Sequence, residues 1–142
     1  MRGRRQQAAA SVGRRSETGR ISFHRGHGAE RRAAWWLRLR GYRILAINWR
    51  SPAGEIDLIA RRSGTLAFIE VKQRTDHDTA TLSLQPAQLR RLERAAALYI
   101  ARRPELAALT ARFDLMTFGR SGLNRWRPVH LKDAWRPEGP SA

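Results

Sequence analysis

The chain contains no cysteine, only two lysines among its 28 basic residues, and only 12 acidic residues in a length of 142. The missing cysteine excludes a disulfide framework and thiolate metal sites, and it fits a reducing compartment. No apolar run reaches the roughly 18 residues that identify a membrane-spanning helix. We therefore expect a cytoplasmic protein that does not associate with a membrane.

The length and the turn signals predict a single folded domain. A chain of 142 residues can build one substantial core but is short for two domains. Residues 1–22 carry six arginines and one acid without an apolar period, which predicts a disordered basic arm. We expect the α/β domain at 23–136 and a loose tail at 137–142.

The net charge of +16 is distributed unevenly along the chain. Residues 1–50 hold 13 basic and 2 acidic side chains, residues 81–142 hold 11 and 5, and residues 51–80 hold 4 and 5. Basic flanks therefore enclose a near-neutral segment. Because such a field attracts polyanions, we expect nucleic acid as the partner. The alternative is an arginine-rich composition on an ordinary solvated surface.

Apolar periodicity and turn residues predict the order αβββαβ(β), a mixed sheet flanked by helices. Pro86 suits the first turn of the second helix, and Gly41 suits the position after the first helix. Residues 74–84 are expected to form a polar loop. The predicted elements are helices at 28–40 and 86–101, strands at 42–50, 55–60, 66–72 and 112–118, and a short strand at 129–131.

Acidic residues and one of the two lysines fall on the two strands of a predicted hairpin. Glu70 and Lys72 are two residues apart and share a face, as do Glu55 and Asp57 on the partner strand. If the register places Asp57 opposite Glu70, two carboxylates and one ammonium converge. Hard oxygen ligands of this kind suit Mg²⁺, which can generate the nucleophile for phosphodiester cleavage. The alternative is an ordinary hairpin with an ion pair on its solvent face.

The apolar residues of the hairpin favour a site over an exposed ion pair. Alternation places Ile56 and Leu58 together on the face opposite the acids. The run at 66–69 predicts that both faces are buried just before Glu70, and charges at the end of a buried strand need partners. Lys72 would then orient or deprotonate the attacking water, or neutralise charge that develops on the phosphate.

Taken together, the motifs resemble the YraN-like uncharacterised bacterial protein family, which is assigned to the restriction-endonuclease-like (PD-(D/E)xK) superfamily. The resemblance spans roughly residues 25–135 and implies a single restriction-endonuclease-like domain, similar to archaeal Holliday-junction resolvases. Ile56 stands where the superfamily's nominal motif has proline, as is usual in this family. The segments that carry the resemblance are Ala29-Glu30, Gly41-Tyr42-Arg43, Asn48-Trp49-Arg50, Gly54-Glu55-Ile56-Asp57-Leu58, Phe68-Ile69-Glu70-Val71-Lys72, Arg112-Phe113-Asp114 and His130-Leu131-Lys132-Asp133-Ala134-Trp135.

The resemblance implies a role for each matching position. Asp57 and Glu70 correspond to the motif carboxylates that hold Mg²⁺ or Mn²⁺, and Lys72 corresponds to the motif lysine. Glu30 matches the additional acid that the junction-resolvase branch uses to complete metal binding. The alternative for Glu30 is a plain acid at a helix N-terminus, favoured by the macrodipole.

The function implied by the resemblance is a metal-dependent nuclease that acts on DNA rather than RNA, on branched or flapped substrates. A homodimer is plausible by the same analogy, since junction-cutting relatives pair two sites. The alternative is a non-catalytic nucleic-acid-binding module with the same fold. An intact set of two acids and a lysine favours the nuclease, because a pure binder gains nothing from carboxylates facing phosphate.

Other polar residues are weaker candidates. Glu55 is expected to form hydrogen bonds near the site rather than bind metal, and Asp114 is expected to be structural. His24 and His27 lack the further ligands of a zinc site. The polar residues at 76–78 are expected to be solvated.

The five tryptophans could stack on nucleic-acid bases, but two of them fall on predicted core faces. Trp36 and Trp49 are the two that we expect in the core. The sequence leaves Trp126 and Trp135 open between packing in the core and stacking on a base.

Overall fold

The computed structural model of the chain describes residues 28–73, 85–120 and 122–137. The predicted arm at 1–22, the loop at 74–84 and all but the first residue of the tail therefore lie outside the described residues. A helix, α1, covers 28–39, and a second helix, α2, covers Pro86–Ala101. The five strands, β1 to β5, are Arg43–Ser51, Gly54–Arg62, Thr65–Gln73, Thr110–Phe118 and Val129–Trp135.

The strands form one mixed sheet in the order β1-β2-β3-β4-β5. β3 and β4 are parallel, and every other neighbouring pair is antiparallel. The parallel pair requires a crossover connection, which α2 provides. This arrangement confirms the predicted α/β fold and the element order αβββαβ(β). No helix within the described residues is long and apolar enough to cross a membrane.

The sheet buries an apolar layer on each face, and each layer is covered by one helix. Neighbouring residues of β3 point into different layers, because side chains alternate along a strand. One layer joins Ala67 and Ile69 to α1 through Ala33, Ala34 and Leu37. The other joins Leu66 and Phe68 to α2 through Leu92, Ala96 and Tyr99.

β2 and β3 extend further toward their connecting turn than the sequence predicts. The pairs Arg61↔Leu66 and Arg62↔Thr65 continue the ladder, so the turn is reduced to Ser63 and Gly64. Ser63 has a φ of 50°. The prediction ended β2 at Ala60, but the exposed charged side chains of Arg61 and Arg62 do not prevent backbone pairing in the hairpin.

β5 is also longer than the predicted strand at 129–131, and it contains a bulge. The register changes from Leu115↔Leu131 to Phe113↔Trp135, and Asp133 lies in this interval with a φ of 54°. Asp tolerates the left-handed region better than most residues. The bulge lets the strand continue past polar residues that interrupt its alternation, which is why the pattern predicted an earlier end.

Asp114 of β4 is fully buried and fully hydrogen bonded. Arg112 donates to its two carboxylate oxygens at 2.8 Å each, His130 Nε2 lies 2.8 Å from Oδ2, and the Asp133 backbone amide donates at 3.0 Å. Burial alone would raise the pKa of Asp114, but the hydrogen bonds from His130 and Arg112 hold it below its ordinary value. Asp114 therefore ties the bulged β5 to β4, in agreement with the structural role expected for it.

Candidate active site

The register of β2 and β3 brings the predicted acidic residues together. Pairing runs from Arg62↔Thr65 to Leu58↔Ile69, and one further step in this register places Asp57 opposite Glu70. On the same face of β3, Lys72 Nζ lies 3.1 Å from Glu70 Oε1. The two strands thus meet in the way that the metal-site interpretation required.

The carboxylate of Asp57 lies at the point where the β2–β3 ladder ends. Its Oδ2 accepts a hydrogen bond of 2.8 Å from the backbone amide of Val71. The Asp57 carboxylate therefore accepts a hydrogen bond from an amide that would have paired with a backbone carbonyl if the ladder continued. This contact fixes the orientation of Asp57.

The alternation of β2 breaks at the same residue. Ile56 packs in the layer with α2, whereas Leu58 packs in the layer with α1. The expectation that these two residues share a face is therefore wrong. The Asp57 side chain extends toward the Val71 amide of β3 and not perpendicular to the sheet. The residues on either side of it, Ile56 and Leu58, therefore face opposite sides of the sheet.

Glu30 joins the cluster from α1. It is buried, with 8% of its surface exposed, and its carboxyl group interacts with that of Asp57. The carboxyl groups of Asp57 and Glu70 also interact with each other. The structure thus brings together all four predicted site residues, with Asp57 at the centre of the three acids.

Gln88 of α2 is a member of the cluster that the sequence did not indicate. Its Nε2 donates to Glu70 Oε1 at 3.4 Å. A glutamine in the first turn of a polar-faced helix carries no local signal of this role. Only the packing of α2 against the sheet reveals it.

Burial dominates the electrostatics of the cluster. It raises the pKa of Asp57 to about 6, with a further increase from Glu30. It raises the pKa of Glu70 to about 7, with a further increase from Asp57 that Lys72 partly offsets. Burial and the charge of Glu70 also raise the pKa of Glu30. With pKa values of about 6 and about 7, Asp57 and Glu70 take up protons close to neutral pH.

The chemistry of these donors fits a hard divalent cation. Within the part of the chain that the structure describes, no group of three or more acidic or histidine side chains is arranged to hold a metal ion as it stands. Nevertheless, three oxygen donors with raised pKa values mark a place where positive charge is favourable. Asp57, Glu70 and Glu30 are the residues that would hold such a cation.

The remaining candidates lie outside the cluster. Glu55 is exposed and forms an ion pair of 3.3 Å with Arg50, so it borders the site without entering it. His24, His27 and the polar residues at 76–78 lie outside the described residues.

The tryptophans divide between the core and the surface. Trp36 and Trp49 are partly buried and pack against the two apolar layers, as predicted. Trp135 is also partly buried and packs in the layer with α2. Trp126 is 65% exposed.

The fold and the site together define a mixed α/β domain that gathers three carboxyl groups and one lysine at the end of a hairpin. The chain belongs to the uncharacterised protein family UPF0102, whose model matches residues 29–118. This finding confirms the resemblance to the YraN-like family. The four predicted site residues and Gln88 all lie within the matched segment.

Several relatives match over most of their length. A UPF0102 protein of Paramagnetospirillum magneticum is 51% identical over 117 residues, which cover 79% of this chain and 87% of the relative. A UPF0102 protein of Parvibaculum lavamentivorans is 48% identical over 120 residues, covering 84% and 87%. One from Brucella canis is 46% identical over 115 residues, covering 81% and 88%.

Proposed function

We propose that the protein is a metal-dependent nuclease that hydrolyses phosphodiester bonds in DNA, with branched or flapped DNA as its substrate class. One observation carries this proposal: Asp57, Glu70 and Glu30 converge from two strands and a helix, with the Lys72 ammonium 3.1 Å from Glu70. One buried and two half-buried acids held side by side are costly for stability when all three are charged. A divalent cation that they bind together would relieve that cost.

The residues of the cluster divide into those that would bind the metal and those that position the metal ligands. Asp57, Glu70 and Glu30 would hold Mg²⁺ or Mn²⁺, and the bound ion would supply an activated water and stabilise negative charge on the phosphate. The Val71 amide fixes Asp57 in its position. Gln88 and Lys72 both contact Glu70 Oε1 and fix that carboxylate from the other side.

Lys72 has a second task that its partial exposure allows. Its side chain is 27% exposed, against 14% for Glu70. The ammonium therefore lies at the mouth of the cluster, where a phosphate approaches from solvent. There it offsets the negative charge that develops on the phosphate during the displacement.

Basic side chains around the cluster support a polyanionic substrate. Gln88 places the first turn of α2 at the site, and the same end of that helix carries the exposed Arg90 and Arg91. Arg91 also packs close to the turn before β2, since a Cβ added at Gly54 would lie 3.5 Å from its carbonyl oxygen. With a net charge of +16, the chain attracts nucleic acid toward an acidic site that would otherwise repel it.

The proposal is tested by incubating purified wild type and Asp57→Ala with linear, flapped and four-way DNA and with single-stranded RNA. Each substrate is assayed with Mg²⁺, with Mn²⁺ and with a chelator. We expect the wild type to cleave DNA only when metal is present, with preference for branched or flapped substrates, and Asp57→Ala to be inactive. Equal cleavage by both proteins would identify a contaminating nuclease. Tight DNA binding without cleavage under any condition would favour the non-catalytic binding module.

A further inference from the structure

Arg32 of α1 carries a guanidinium group that the described residues do not neutralise. Its Nε and Nη2 atoms are buried and have no hydrogen-bond acceptor. The guanidinium carbon lies 5.3 Å from the centroid of the Phe118 ring and 5.8 Å from that of the Trp126 ring. Two aromatic rings therefore hold the group in place through cation–π contacts, but they do not replace an acceptor for its N–H donors.

This arrangement is unfavourable for the chain by itself. A buried charged donor without an acceptor loses its hydration without compensation. Burial lowers the pKa of Arg32, and the nearby guanidinium of Arg125 lowers it further. Since arginine nevertheless keeps its charge in proteins, the position favours a bound anion. Two neighbouring guanidinium groups add to that preference.

The position of Arg32 relative to the acidic cluster follows from α1 and the strand order. Arg32 is two residues after Glu30, about 200° around the helix, so the two side chains reach different strands. Glu30 interacts with Asp57 of β2, whereas Arg32 contacts Phe118 at the end of β4. β3 lies between them, with Gln73, the neighbour of Lys72, paired with Phe118.

The separation of the two sites matches the spacing of phosphates along a nucleic-acid strand. Neighbouring strands of a sheet lie about 4.8 Å apart and a strand rises about 3.3 Å per residue. Phe118 lies two strands away from Asp57 and three residues further along the sheet, so the two positions are separated by on the order of 14 Å. The axial rise of a DNA strand is about 3.4 Å per phosphate. A strand with one phosphate at the cluster would therefore place another, a few nucleotides away, near Arg32.

We propose that Arg32 and Arg125, with Trp126, form a phosphate-binding subsite that holds the backbone of a nucleic-acid strand beside the acidic cluster. The Nε and Nη2 donors of Arg32 form the parallel fork that binds two oxygens of one phosphate. Trp126 is 65% exposed, so its ring lies at the surface beside the Arg32 guanidinium. Binding of the phosphate does not depend on the proposed function. Only the statement that the bound strand is also the strand cut at the cluster rests on the proposed function.

The test compares Arg32→Gln with Arg38→Gln, both introduced into the full chain carrying Asp57→Ala. Arg38 is an exposed arginine on the same helix, so the control removes the same charge. Affinity for labelled single-stranded DNA without metal is expected to fall about tenfold or more for Arg32→Gln, because charge-assisted hydrogen bonds are lost. We expect a change within about threefold for Arg38→Gln. Equal losses in the two variants would overturn the subsite, since they would show a general charge effect.

A second measurement separates anion binding from a structural role of Arg32. Melting temperatures are measured in inorganic phosphate and in chloride at matched ionic strength. Phosphate is expected to raise the melting temperature of Arg38→Gln but not of Arg32→Gln, and Arg32→Gln in chloride is expected to be at least as stable as its parent. A less stable Arg32→Gln with an unchanged phosphate effect would show a structural role and overturn the proposal. Because every protein here carries Asp57→Ala, failure of the nuclease proposal leaves these readouts intact.

Discussion

Lys72→Gln is expected to reduce metal-dependent DNA cleavage by about 100- to 1000-fold, the range found when a charge-stabilising donor is removed from an active site. The chain offers a matched control in its other lysine, Lys132, which is exposed on β5. Lys132→Gln removes the same charge from the protein and is expected to stay within a few-fold of wild type. The contrast follows from position: only Lys72 lies 3.1 Å from a cluster carboxylate.

The same logic applies to a pair of glutamates. Glu70→Gln keeps the size of the half-buried side chain that Lys72 and Gln88 contact but removes its charge. We expect a loss of cleavage activity similar to that of Lys72→Gln. Glu55→Gln alters an exposed ion pair with Arg50 and is expected to change the rate little. Single-turnover rates at saturating metal measure all four variants. If Lys72→Gln and Lys132→Gln lost activity equally, the cluster would have no special part in cleavage.

Asp114→Asn is expected to lower the free energy of unfolding by about 3 kcal/mol or more, because it breaks a buried charged network. The neutral amide leaves the Arg112 guanidinium without its carboxylate partner, and one of its two polar atoms cannot accept the hydrogen bonds that Asp114 now accepts. The side chain is fully buried, so water cannot compensate. Urea unfolding measures the change.

Asp133→Asn is the matched control for this prediction. The carboxylate of Asp133 pairs with Arg136 at 2.7 Å, but the Arg136 side chain is 83% exposed. Exposed ion pairs contribute little, so we expect only a small change in the free energy of unfolding. Asn also tolerates the positive φ of this position. Similar losses of unfolding free energy in Asp114→Asn and Asp133→Asn would show that the buried network contributes no more to stability than the exposed ion pair.

The parts of the site that the sequence predicted are those that depend on local periodicity. Alternation alone places Glu70 and Lys72 on one face of β3. Proline at the first turn and an apolar stripe locate α2 at Pro86–Ala101, as observed. The position of Asp57 opposite Glu70 needed one further condition, the register of the hairpin, which the structure supplies.

The features that the sequence did not predict depend on contacts between distant segments. Strand alternation contains no signal that Asp57 reaches the Val71 amide and thereby separates Ile56 from Leu58. The contact of Gln88 with Glu70 depends on how α2 lies on the sheet. Similarly, the burial of the Arg32 donors depends on the packing of α1 against the end of β4.

The raised pKa values of the acid cluster also depend on the fold and not on the motif alone. Two acids and a lysine on an exposed hairpin would titrate near their ordinary pKa values. Burial raises the pKa of Asp57 to about 6 and that of Glu70 to about 7. A cation that binds these carboxylates must therefore displace protons, which gives metal binding a definite dependence on pH.

Calorimetric titration of Mn²⁺ into wild type and Asp57→Asn at pH 6 and pH 8 tests most directly whether the cluster is a divalent-metal site. Protons on Asp57 and Glu70 compete with the metal at pH 6 and have largely left at pH 8, so wild-type affinity is expected to rise about tenfold or more with pH. Proton release on binding is expected near pH 6. Asp57→Asn is expected to bind Mn²⁺ at least tenfold more weakly, with metal-free DNA affinity equal or higher. Equal Mn²⁺ affinity in the two proteins, without a change between the two pH values, would contradict the account.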